Sequence, residues 1–308
     1  MKLLINEPDR FPHEADTMLR EHFEVFFGPS IYGTPLNADV VWMRFAPLPL
    51  KEFTNLKAII CPATGVDHIK LPRPDIELLS LRGETEFLED VHATSEFTVG
   101  LILAIMRNID KASQRFVFDR MKFIGSELHG KTVLVVGRGR VGKQVGNILN
   151  AFGCLVLYVD KEHDIDASLP LADIVTVHVN LDDSTRGLFN AHMFAKMKRG
   201  AYFINTSRGA VVVDNDLIDA LNTGRISRAA IDVFDHQRPP MHPKLLLTPH
   251  IAGCTDVSMS KCEIFLAKRL VEWKNNPRMP ATSCEAANAR QPRDHETVLQ
   301  RVSEGNQV

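Results

Sequence analysis

The sequence is short of the features that would take it out of the ordinary globular class. Its five cysteines are an odd number with no CxxC pair, which argues against a disulfide framework or a structural zinc site, and no metal is expected. No apolar run approaches the roughly 20 residues needed to span a bilayer. The stretch MKLLINEPDR turns charged from Glu7, too early for a secretory signal, so a cytoplasmic location is expected. Charge of either sign is not in excess. With 36 Lys and Arg against 38 Asp and Glu, the formal net charge is −2, which gives no electrostatic reason to expect nucleic acid or membrane as a partner. From Pro280 onward large apolar residues are too few for a core, and a mobile tail is expected.

What remains is enough for two ordinary domains in 308 residues. Short apolar runs occur at KLLI (2–5), FEVFF (23–27), DVVWMR (39–44), LKAIIC (56–61) and IELLSL (76–81), separated by helix-length or polar segments. Strands without polar alternation are those of a parallel sheet covered on both faces. A long helix is expected from about Thr94 to Phe116, with Thr94 or Ser95 as its cap. A second series follows: TVLVVG, CLVLYVD, DIVTVHV, AYFIN, RAAIDVF and LLLT, with helical patterns between most of them. This is a doubly wound α/β pattern of about six strands. The gap from Asp160 to Asp173 is too short for a full helix with loops, so one crossover should be abbreviated. Residues 256–275 form one amphipathic helix, and Cys61 and Cys154 read as core fillers.

Gly137-Arg138-Gly139-Arg140-Val141-Gly142 is a GxGxxG between a strong strand and an amphipathic helix, the context in which that pattern binds a dinucleotide. The first glycine permits the turn, the second admits the pyrophosphate, and the third lets helix and strand touch. The next strand ends in Asp160, whose carboxylate suits the ribose hydroxyls of NAD and repels the 2′-phosphate of NADP, although Lys143 and Lys161 soften that repulsion. Other polar residues gather at the carboxyl ends of successive strands: His178 and Asn180, then Asn205 to Arg208, then Asp232, then Thr248 and His250. In an open parallel sheet those ends line one cleft. Arg208 offers a planar donor fork for a carboxylate, and His250 suits proton transfer to or from an alcohol oxygen. His178 reads as structural.

GRGRVGKQVG, the strand-end Asp160, INTSRGAVVVD, AAIDVF and TPHIAG together resemble the D-isomer-specific 2-hydroxyacid dehydrogenases, and ATGVDHIKLP and ATSEFTVGLILAIMRN extend the likeness through the first domain. The resemblance implies a Rossmann-type doubly wound NAD-binding domain inserted in a flavodoxin-like substrate domain. The boundaries would be 1–93 for substrate, 94–255 for NAD, and 256–308 for a returning helix and tail. It also implies a homodimer built through the NAD domains, a small 2-hydroxy or 2-oxo acid as substrate, and NAD as cofactor. Carried over, Arg208 binds the substrate carboxylate and His250 is the general acid/base. Thr64, Gly65 and Val66 supply backbone donors, and Arg44 contacts substrate. Gly137, Gly139, Arg140, Val141, Gly142, Asp160, Thr206, Asp232 and Gly253 meet the dinucleotide. The third catalytic position, a glutamate in the family, is Gln237 here. A glutamine orients an imidazole without stabilising its charged form. That departure keeps two further readings open: a formate-type dehydrogenase using the Gln237–His250 pair, and a non-catalytic NAD(H)-sensing protein of the corepressor kind.

Overall fold

The structure is a computed structural model, described here for residues 1–28, 36–114, 118–160, 164–234 and 239–276. The expected tail from Pro280, Lys161, and the end of the expected long helix at Phe116 lie outside those residues.

The first sheet contains β1 (Lys2–Ile5), β2 (Glu24–Phe27), β3 (Val40–Trp42), β4 (Ala58–Cys61) and β5 (Glu77–Ser80), all parallel, in the order β2-β1-β3-β4-β5. That is the flavodoxin-like order. Its three central strands are apolar and buried at nearly every position because both faces are covered, while polar residues such as Glu24 and Glu77 fall on the edge strands. Leu3 and Ile5 point to one layer with Ala15 and Leu19 of α1 (His13–His22), while Leu4 points to another with Phe53, Leu56 and Ile76. A short helix, α2 (Thr85–Glu89), leads out of this sheet.

The expected long helix is two. Helix α3 spans Ala93–Met106 and α4 spans Ile109–Gln114, with Asn108 between them at φ +54°. The break has a distant cause. Arg228, buried on the second sheet, donates from Nη1 to the Ile105 carbonyl at 3.0 Å and to Asn108 Oδ1 at 3.2 Å. It also forms a buried ion pair with Asp110. These bonds satisfy the end of α3 and fix the turn. Nor does Thr94 or Ser95 cap the helix. The N-cap is His92, and the Ser95 hydroxyl donates to its carbonyl at 2.7 Å.

The second sheet holds β6 (Thr132–Val136), β7 (Leu155–Val159), β8 (Ile174–Val177), β9 (Ala201–Asn205), β10 (Ile226–Ile231) and β11 (Leu245–Leu247), in the order β11-β10-β9-β8-β6-β7. Helix α5 (Arg140–Ala151) joins α3 on one face, where Ile102, Ile105, Val145 and Leu149 cover Val133, Val135 and Ile204. The crossover after β7 is abbreviated to α6 (Ile165–Ser168) and one further turn. Helices α7 (Ala191–Lys196) and α8 (Asp214–Asn222) cover the other face around Phe194, Phe203 and Leu217. Strand order reverses about β6, so a crevice opens at the carboxyl ends of β6 and β8. The chain then returns. Thr255 caps α9 (Asp256–Asn275) through the Ser258 amide, and Leu266, Leu270 and Trp273 bury against α1 and the first sheet. Both ends of the described chain thus build the first layer. No described helix is long and apolar enough to cross a membrane.

Candidate active site

The glycine loop is shaped by close approaches. Gly137 takes φ +99°, and a Cβ there would lie 2.7 Å from the His178 carbonyl oxygen. A Cβ on Gly142 would lie 2.0 Å from the Gly137 carbonyl oxygen, so α5 packs directly on the turn. At Gly139, the N-cap of α5, an added Cβ would meet nothing within 4 Å. The loop is therefore closed against β8 on one side and open on the other, with a helix N-terminus facing the opening. A pyrophosphate fits that arrangement. Asp160 follows β7, next to the loop, whose Gly137 amide donates to the Val159 carbonyl at 2.7 Å. The Arg140 guanidinium donates to the Val91 carbonyl at 2.6 Å, tying the loop to the first domain, and Val141 packs into the core below. For those two residues only the backbone is left to face a dinucleotide. His178, expected to be structural, has its Nε2 2.9 Å from the Thr176 hydroxyl, and burial pushes its pKa down to about 3.

Arg208 follows β9 and reaches across to the first domain. Its Nε donates to Asp67 Oδ1 at 2.8 Å and its Nη1 to the Ser207 carbonyl at 2.8 Å. The guanidinium lies where a side chain on residue 65 would be: a Cβ on Gly65 would come within 1.2 Å of Nη2. Burial works to raise the Asp67 carboxyl, but the Arg208 hydrogen bond and charge outweigh it and hold the carboxyl below its ordinary range. Asn205 braces the turn, donating to the Arg208 carbonyl and accepting from the Ser207 amide and hydroxyl.

His250 sits in the left-handed region at φ +57°, uncommon for a residue with a side chain. Asp232, fully buried at the end of β10, holds it there. Its carbonyl accepts from the His250 amide at 2.9 Å. Its carboxylate accepts from the Thr248 hydroxyl and from the amides of Ile251 and Ala252 at 3.0 and 2.9 Å. Asp232 thus holds the TPHIAG turn, with three donors already on its carboxylate before any cofactor arrives. Thr206 is engaged too, its hydroxyl 2.9 Å from that of Thr98 on α3, and Gly253 lies beside Thr94 at the start of that helix. The imidazole is at the cleft mouth. Desolvation lowers its pKa, with Arg208 and His68 adding to the effect and Asp232 and Asp67 opposing it.

Phe45, Asp67, Arg208, Val233, Phe234 and His250 line one cavity of about 180 Å³ between the two sheets. Arg208 and His250 are brought together there. Arg44 is not. Its guanidinium turns away to Glu263 on α9, with Nε donating at 2.8 Å, because that carboxylate is 1% exposed and needs a cation. Arg44, expected to contact substrate, is not among the residues that line this cavity. Thr64 and Val66 stay on the adjacent loop, outside the cavity lining, while Gly65 makes room for Arg208. Gln237 lies outside the described residues. Asp67 and His68 were missed from sequence. The signal was available: an acid beside a loop expected to bind an anion has to pair with something. Among the described residues no cluster of His, Cys, Asp or Glu is placed to hold a metal.

Comparisons with known proteins bear on the family and the fold. The model of the D-isomer specific 2-hydroxyacid dehydrogenase NAD binding domain matches residues 99–252. A glyoxylate reductase of Thermofilum pendens is 36% identical, over 74% of each chain. A D-3-phosphoglycerate dehydrogenase of Methanocaldococcus jannaschii is 32% identical over 88% of this chain but only 57% of its own length, so the present chain spans little more than half of that relative. The crystal structure of an Aquifex aeolicus D-lactate dehydrogenase complexed with NAD and lactic acid superposes with a TM-score of 0.75, covering 89% of this chain and 96% of that one. At 22% identity it speaks for the fold alone. The chain belongs to the D-isomer-specific 2-hydroxyacid dehydrogenase family and carries its NAD-binding domain.

Proposed function

We propose that this chain transfers hydride between NAD(H) and a small 2-oxo or D-2-hydroxy acid in the cleft between a substrate domain (1–93, completed by the helix after 255) and an NAD domain (94–255). One observation carries the reading: a fixed cation, Arg208 after β9, and a titratable imidazole, His250 after β11, line the same cavity from either side of β10. The bound nicotinamide supplies the hydride chemistry. Arg208 binds the substrate carboxylate through its fork and polarises the 2-oxygen. His250, protonated, gives a proton to that oxygen as it becomes a hydroxyl, and takes it back in oxidation. Gln237 is assigned to orienting the imidazole, and Phe45, Val233 and Phe234 to keeping water out. Asp160 favours NAD over NADP. The non-catalytic reading has no use for an arginine seated on a glycine beside an acid/base histidine. NADH oxidation with a panel of small 2-oxo acids, and with formate and NAD as the opposing arm, tests the proposal. Activity with formate alone would replace it.

A further inference from the structure

We propose that Phe45, contributed by the first domain, is a positioning residue for proton transfer: its ring packs, tilted by 44°, against the His250 imidazole, so the acid/base is aimed by both domains together. This rests on the reading of His250 as acid/base.

Phe45 is 51% exposed, an aromatic ring placed at a cleft mouth rather than in the core. Its backbone is pinned. The amides of Arg44 and Phe45 both donate to Glu7 Oε2, at 2.7 and 2.9 Å. His68 Nε2 donates to the Arg44 carbonyl at 2.8 Å, and the buried Arg44–Glu263 pair anchors the segment to α9. The ring stands between two imidazoles, with centroids 4.8 Å from His250 and 5.2 Å from His68. His250 has its backbone fixed by Asp232 within the NAD domain, while this contact to its ring comes from the other domain. An imidazole still has χ1 and χ2 to fix, and an aromatic ring packed against it at a tilt of 44° narrows both without adding a hydrogen-bonding group. The charged and titratable groups around His250 are Asp232, Arg208, Asp67 and His68. All four sit on the turns already described, and Phe45 brings no charge of its own.

The contact should therefore act on kcat. Leu in place of Phe45 keeps an apolar wall, whereas Tyr keeps the flat face. Phe45→Ala and Phe45→Leu should each lower kcat for 2-oxo acid reduction by about 10- to 100-fold, the usual cost of a misplaced reacting group, with KM and NADH affinity changed much less. Phe45→Tyr should recover most of the loss. An independent reading comes from NMR of the full chain labelled at histidine, with His250 assigned from His250→Gln. The His250 ring protons should lose their aromatic ring-current shift in Phe45→Ala and keep it in Phe45→Tyr. Unmoved His250 resonances, or a Phe45→Leu enzyme with normal kcat and raised KM, would overturn the proposal and make Phe45 a plain wall of the pocket. If no 2-oxo acid is reduced by any form yet the ring-current shift behaves as stated, the ring contact stands and the catalytic reading falls.

Discussion

Substituting alanine at Gly65 should disarm Arg208 without disturbing the fold. The Cβ would lie 1.2 Å from Nη2 and 2.4 Å from Cζ, and ordinary contact begins near 3.4 Å, so the guanidinium must move by roughly 2 Å. Gly65 does not adopt a left-handed conformation, and what the methyl meets is the far end of a flexible side chain. The chain therefore yields at the arginine and not in the backbone. A misplacement of about 1 Å at a reacting centre typically costs ~10²-fold. Gly65→Ala should lose at least that in kcat/KM, or about 2.7 kcal/mol of transition-state stabilisation. Steady-state kinetics with the preferred 2-oxo acid measures the loss, NADH fluorescence titration should return an affinity near wild type, and the thermal midpoint should stay put. Wild-type kcat/KM would refute the reasoning, and so would a loss that tracks a large fall in the thermal midpoint.

Other outcomes follow from neighbouring contacts. Arg44→Ala leaves Glu263 buried without its cation and should cost about 3–5 kcal/mol in chemical denaturation. Burial already raises the Glu263 carboxyl, so this deficit should shrink as pH falls and the group takes a proton, and an unchanged midpoint would contradict the pairing. Because Asp160 closes β7 beside the glycine loop, kcat/KM with NADH should exceed that with NADPH by roughly tenfold or more, about 1.4 kcal/mol. Equal efficiencies would remove that role. Gln237→Glu adds a negative charge for His250, keeping the imidazole protonated to higher pH, so the alkaline limb of kcat/KM for reduction should move upward. A profile that does not move would assign the orienting role elsewhere.

The elements were legible where the code is local. Most buried parallel strands announce themselves as short, largely apolar runs, and α9 is read at its observed extent from its apolar positions. GxGxxG is legible because two of its glycines, Gly137 and Gly142, answer steric demands that the structure shows. What local sequence hides is competition between distant side chains. Nothing near Asn108 says that Arg228, 120 positions on, will take the Ile105 carbonyl and the Asn108 side chain at the end of α3. Nothing near Arg44 says that Glu263, 219 positions on, will take its guanidinium from the cleft. The resemblance gives Asp232 only a cofactor contact, and nothing near it says that three donors from the TPHIAG turn will meet its carboxylate. Asp67 and Phe45 acquire meaning only once the two domains face each other.

The central claim is that Arg208 and His250 reduce a 2-oxo acid on one defined face. Incubating the full chain with NADH and a prochiral 2-oxo acid such as pyruvate or hydroxypyruvate, then resolving the product on a chiral column, tests it most directly. The account predicts the D-2-hydroxy acid alone, formed in equal amount to the NADH consumed, and no product from Arg208→Ala or His250→Gln at wild-type NADH affinity. The L-product, a racemate, or NADH binding without turnover on any 2-oxo acid would contradict it.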